Sequence, residues 1–101
     1  HGGRQVDVGQ ATIDSLKSIA PIYNNKIEIM MDSGIRGGAD IARVLAHGAN
    51  FTFLGRSFMY GVSALGTKGG NHTITMLKKQ LTQIMEQLSC KQIYDLKNTI
   101  V

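Results

Sequence analysis

The chain has 101 residues, 43% of them hydrophobic, and a formal charge of +4. That length holds about one small domain, the hydrophobic share with mixed charge argues against disorder, and no apolar run approaches the roughly 18 residues that a membrane span needs. Basic groups run from Arg4 to Lys97 without massing and with few aromatics between them, which argues against a nucleic-acid partner.

The opening segment HGGRQVDVGQ is Gly-rich and reads as a loop. No methionine precedes His1, so the chain reads as the end of a longer protein. ATIDSLKSIAPIYNN places Ile13, Leu16, Ile19 and Ala20 at helical spacing, with a stop expected between Pro21 and Asn25. KIEIMMD is a short, mostly apolar run that predicts a strand buried on both faces. GGADIARVLAHGAN sets Ile41, Val44 and Leu45 on one helical face and ends at His47 and Gly48, a glycine stop.

FTFLG predicts a second strand. SFMYGVSALGTKGG reads as loop with at most a brief helical turn, and the TKGG turn near Lys68 as flexible surface. HTITMLKKQLTQIMEQLSC carries Ile74, Leu77, Leu81, Ile84, Met85 and Leu88 at spacings of three and four, the strongest helical signal in the chain. IYDLKNTIV reads as a short tail. The five methionines are expected to fill core. Cys90 is the single cysteine, which excludes an internal disulfide and a multi-cysteine metal site and fits a reducing compartment.

Two strands separated by a helix form a βαβ unit, for which the connection rule predicts right-handed parallel pairing. Two such strands cannot cover both sheet faces and hide both edges, so something else must complete the sheet. Either the chain oligomerises or it is the last quarter of a larger α/β barrel.

Both predicted strands run into glycine-bearing loops, MMDSGIRGG and FTFLGRSF. Asp32, Gly34, Arg36, Gly55 and Arg56 therefore fall just past the C-terminal ends of strands, the ligand edge of parallel α/β architecture. Glycines there let backbone N–H groups approach an anion, the helix beginning near Gly38 would offer it an N-terminus, and Arg56 adds a charged fork. Together these features predict a phosphate site. His1 is a candidate general base and Arg4, three residues on, a candidate carboxylate clamp. His47 and His72 read as helix-end or surface residues.

HGGRQVD, MDSGIRGGAD, LGRSFMYG and the long final helix running into LSC resemble, in order and spacing, the C-terminal segment of the FMN-dependent L-2-hydroxy-acid dehydrogenases and oxidases. The resemblance spans nearly all of the chain. It implies an α/β fold in which residues 1–101 are the C-terminal quarter of a TIM (β/α)8 barrel, strands seven and eight with their helices. It implies His1 as catalytic histidine, Arg4 as the substrate-carboxylate arginine, and Asp32, Gly34, Arg36, Gly55 and Arg56 in the FMN ribityl and phosphate site. The implied reaction turns an L-2-hydroxy acid, lactate above others, into the 2-oxo acid.

In that reaction His1 takes the hydroxyl proton in a hydride route and acts on carbon in a carbanion route. The implied partners are the missing N-terminal portion of the same enzyme and copies of the chain in a tetramer. The implied location is the cytoplasm or the periphery of the inner membrane, and the piece alone is expected to be inactive. Ser33 stands where the family commonly has a second glycine, and it fits a tight loop if its dihedrals are ordinary. Two rival readings are a phosphate-binding barrel acting on another substrate, such as a nucleotide, and a catalytically silent fragment.

Overall fold

A computed structural model describes residues 6–100 of the chain. The first helix, α1 (Thr12–Tyr23), buries Leu16 and Ala20, which lie one turn apart on the same stripe. Pro21 falls in its last turn, removes one intrahelical donor, and the helix ends two residues later, within the stop expected from the sequence.

A strand β1 (Met30–Met31), a helix α2 (Gly38–Ala46) and a strand β2 (Phe51–Thr52) follow. The strands pair in parallel, with Met30 opposite Phe51 and Met31 opposite Thr52. Backbone bonds continue the pairing on either side, from Asn50 N–H to the Ile29 carbonyl at 2.7 Å and from Phe53 N–H to the Met31 carbonyl at 2.9 Å. The Asn50 side chain closes the lower end by accepting from Ile29 N–H at 2.9 Å. In α2, Ile41, Val44 and Leu45 are buried together, as their spacing predicts. The chain leaves this helix through Gly48 at φ 107°, a conformation that favours glycine.

Burial of the strands on both faces is not what the structure shows. Met31 is 6% exposed and packs with Ile29 and Leu54 against the helices, whereas Met30 is 57% exposed, Phe51 54% and Phe53 52%. The rings of Phe51 and Phe53 meet edge to face at 5.1 Å on that open side. The helices of this chain cover one sheet face, and pleating turns alternate residues to the other. The methionines are likewise not all core: Met31 is buried and Met85 packs at the core margin, but Met30, Met59 and Met76 are exposed.

The segment expected to be loop is mostly helical. It forms α3 (Arg56–Leu65) and a 3-10 turn (Gly66–Lys68), and the long helix α4 (Gly69–Gln87) begins three residues before His72. The glycines that suggested a loop instead let two helices touch. A Cβ on Gly69 would lie 2.2 Å from the Gly61 carbonyl oxygen, and one on Gly61 would lie 2.1 Å from Thr73 Oγ1. Thr73 is buried at this crossing and satisfies its hydroxyl by donating to the Gly69 carbonyl at 2.8 Å.

The tail is ordered as well. Ile93–Thr99 forms a 3-10 segment whose start is closed by reciprocal Gln92 and Asp95 bonds. Its Leu96 is fully buried in the core formed with α2 and α4. Among the described residues no helix is long and apolar enough to cross a membrane.

Candidate functional site

Beyond the sheet, β1 runs into Asp32–Arg36 and β2 into Gly55 and α3. The first loop reverses direction through two consecutive left-handed residues, Ser33 at φ 77° and Gly34 at φ 76°. The dihedrals of Ser33 are therefore not ordinary, which corrects the expectation for that position. A non-glycine residue in this region costs about 1–2 kcal/mol. A short polar side chain limits that cost, and Ser33 Oγ donates locally to Asp32 Oδ1 at 3.0 Å.

The two loops face one open cleft of about 780 Å³, and Asp32, Gly34, Arg36, Gly55 and Arg56 all line it. The structure thus brings together five residues that the sequence separates by up to 24 positions. Added Cβ atoms on Gly34 or Gly55 would meet nothing within 4 Å, so the backbone there is open to a ligand. His1 and Arg4 lie outside the described residues.

Charge in the cleft is not evenly neutralised. Arg43 also lines it but pairs with Asp40 at 3.1 Å. Arg36 and Arg56 are exposed and form no ion pair among the described residues. Two uncompensated guanidinium groups on one concave surface favour an anion, and phosphate geometry suits their planar donors.

The helix N-terminus expected to assist them, that of α2, has one of its donors engaged within the chain. At the start of α2, Gly38 N–H donates to Gln80 Oε1 at 2.9 Å, and the Asp40 carboxylate accepts from Arg36 N–H at 3.1 Å. One donor of that end is thus taken by a side chain, and the acidic Asp40 sits in its first turn. Like α2, α3 has no side-chain cap bond, but it has no acidic residue in its first turn. Its Arg56 and Ser57 N–H groups donate to no protein acceptor among the described residues. The free donors and positive dipole end of α3 open beside Gly55.

Sequence reasoning missed this helix, although Phe58, Val62 and Leu65 carry a helical period that could have revealed it. His47 caps the far end of α2, where burial, helped by Lys17 and Arg43, holds its pKa below the ordinary 6.5. His72 is exposed on α4. Neither lines the cleft.

The cleft thus joins a paired strand edge, two arginines without ion-pair partners among the described residues and the start of a short helix. The family model for FMN-dependent dehydrogenases matches residues 1–101. The chain belongs to the FMN-dependent dehydrogenase family. It is 38% identical over 101 residues to an L-lactate oxidase of Nostoc sp., covering 100% of this chain and 28% of that protein. It is 40% identical over 96 residues to an L-lactate dehydrogenase of Vibrio cholerae, covering 95% and 25%. A crystal structure of Pediococcus acidilactici lactate oxidase superposes with a TM-score of 0.89 at 40% identity, covering 97% of this chain and 27% of that one.

The chain therefore spans about a quarter of the length of these relatives. The α/β architecture is that of the FMN-dependent dehydrogenase family, and among the described residues the sheet has two strands and is not closed. The residues present fit the family's cofactor. The open glycines, the unpaired arginines and the start of α3 are donors suited to a phosphate, and Asp32 offers acceptors for hydroxyl groups.

Proposed function

We propose that residues 1–101 form the C-terminal part of an FMN-dependent L-2-hydroxy-acid dehydrogenase or oxidase domain, supplying strands seven and eight of its (β/α)8 barrel. The observation that carries this reading is the convergence of Arg36, Arg56 and the uncapped start of α3 on one cleft beside Gly34 and Gly55. In barrels of this kind a phosphate sits between the loops after the last two strands and the N-terminus of a short extra helix. The α3 helix has the length and position for that role.

In this reading Gly34, Arg36, Gly55 and Arg56 hold the FMN phosphate and Asp32 accepts hydrogen bonds from the ribityl chain. Bound FMN supplies a two-electron acceptor for the C2 hydrogen of the substrate. Arg4 grips the substrate carboxylate with two parallel hydrogen bonds, which fixes C2 and its hydroxyl in one orientation. His1, three residues earlier, takes the proton that the oxidation releases.

The product is a 2-oxo acid, and lactate is the favoured substrate because the relatives named above act on lactate by their names. The other partners are the N-terminal portion of the same enzyme and further copies in a tetramer. The setting is cytoplasmic or peripheral to the inner membrane.

Paired steady-state kinetics and flavin titrations on the full-length protein test the division of roles. Arg4→Lys is expected to raise the KM for L-lactate while flavin content stays near wild type. Arg56→Gln is expected to weaken FMN binding by roughly 10- to 100-fold, the range for losing a charge-assisted hydrogen bond. The reverse pattern, or no flavin reduction by L-lactate or glycolate, would favour a barrel with another substrate.

A further inference from the structure

The strand ladder ends at the bond from Phe53 N–H to the Met31 carbonyl. Beyond it the two arginine-bearing loops leave the sheet separately, the first through Ser33 and Gly34 and the second through Gly55. Glycines make both paths pliable. Arg36 and Arg56 carry like charges without ion-pair partners among the described residues, so bringing both to one phosphate works against their mutual repulsion. Something must hold them at a separation that one phosphate can bridge.

The Arg36 backbone is fixed at both of its polar atoms by side chains. Its N–H donates to Asp40 Oδ2 at 3.1 Å, which ties the loop to the helix that follows it. Its carbonyl accepts from Ser57 Oγ at 2.8 Å, and this bond crosses 21 positions to the first turn of α3. Among the described residues it is the sole side-chain hydrogen bond between the Asp32–Arg36 loop and α3. Ser57 is partly buried and lines a second cleft of about 500 Å³. Arg36 borders both clefts.

We propose that Ser57 is a positioning residue for the cofactor phosphate, and that its hydroxyl sets the separation of the Arg36 and Arg56 loops by holding the Arg36 carbonyl. The inference rests on the reading of the main cleft as the FMN phosphate site. Ser57 spends its side chain on the neighbouring loop, which leaves the backbone N–H groups at the start of α3 for the anion. Two like-charged arms are thereby pre-set before the ligand arrives, so less ordering is required on binding.

The test compares FMN with riboflavin, which lacks the phosphate, by fluorescence titration of the flavin-stripped full-length protein. Ser57→Ala is expected to weaken FMN binding about three- to tenfold, the range for one net hydrogen bond, and to leave riboflavin affinity unchanged. Ser57→Thr, which keeps the hydroxyl, is expected to restore FMN affinity to that of wild type.

Equal weakening of both flavins by Ser57→Ala would mark a structural fault and overturn the proposal. Unchanged FMN affinity in that variant, or a Thr variant as weak as the Ala one, would overturn it too. Wild-type protein that binds riboflavin as tightly as FMN would remove the phosphate reading itself, an outcome visible before any variant is made.

Discussion

Three glycines around the cleft loops meet an added methyl group in three different ways. At Gly38 a Cβ would lie 2.5 Å from Gln80 Cβ and from the Leu81 backbone nitrogen, so Gly38→Ala is expected to cost about 3 kcal/mol by overpacking. At Gly34 there is space but φ is +76°, and Gly34→Ala is expected to cost about 1–2 kcal/mol by backbone strain alone. Gly55 has neither obstacle, so Gly55→Ala is expected to leave stability within about 1 kcal/mol of wild type while reducing FMN affinity. Denaturant unfolding with flavin titration, on the full-length protein, checks all three.

His47 gives a prediction in pH. Its folded pKa lies below the ordinary 6.5 because of burial, with Lys17 and Arg43 adding to the effect. The unfolded chain then takes up a proton that the folded chain resists, so stability present above the unfolded pKa is lost as pH falls through the folded value. The melting temperature of wild type should drop more steeply between roughly pH 7.5 and 5.5 than that of His47→Gln. Parallel slopes would show that His47 carries none of this dependence.

Among the elements, the crossing of α3 and α4 decides where the free helix N-terminus points. Gly69→Ala would drive a Cβ into the Gly61 carbonyl and amide backbone, which cannot swing aside as a side chain can. The expected loss is about 3 kcal/mol, with FMN retention falling as α3 is displaced. The C-terminal 3-10 segment is expected to matter nearly as much: Leu96 is fully buried, and Leu96→Ala should cost about 2–5 kcal/mol in thermal unfolding.

These elements differ in how far they could be read beforehand. Leu16 with Ala20 in α1, and Ile41, Val44 and Leu45 in α2, announce their helices because burial on one face imposes the helical period. The α3 helix is masked by Gly61, Gly66, Gly69 and Gly70, since a glycine at a helix contact and a glycine in a turn are the same letter. Leu96 shows the converse, a lone apolar residue in a polar tail whose burial depends on helices distant in sequence.

For the molecule as a whole, surface area is the telling quantity. The chain exposes 7311 Å², against roughly 5600 Å² for a compact monomer of its 11.0 kDa mass. Met30, Phe51 and Phe53 account for the open sheet face within that excess, on the side that a closed barrel would turn inward. The isolated chain is therefore expected to self-associate and to bind a hydrophobic dye, and addition of the N-terminal portion proposed above should abolish both. A monomeric, dye-silent chain in analytical ultracentrifugation would contradict this.

Sequence alone is enough to read the parallel βαβ unit, the grouping of Asp32, Gly34, Arg36, Gly55 and Arg56, and the family, because periodicity and the order of short motifs are local properties. Tertiary contacts were needed to show that the first donor of α2 goes to Gln80 while Arg56 and Ser57 at the start of α3 donate to no protein acceptor among the described residues, and that one sheet face stays uncovered. Those outcomes depend on which distant side chains meet, through the Gly61–Gly69 crossing and the Ser57–Arg36 bond, and no local pattern encodes such meetings.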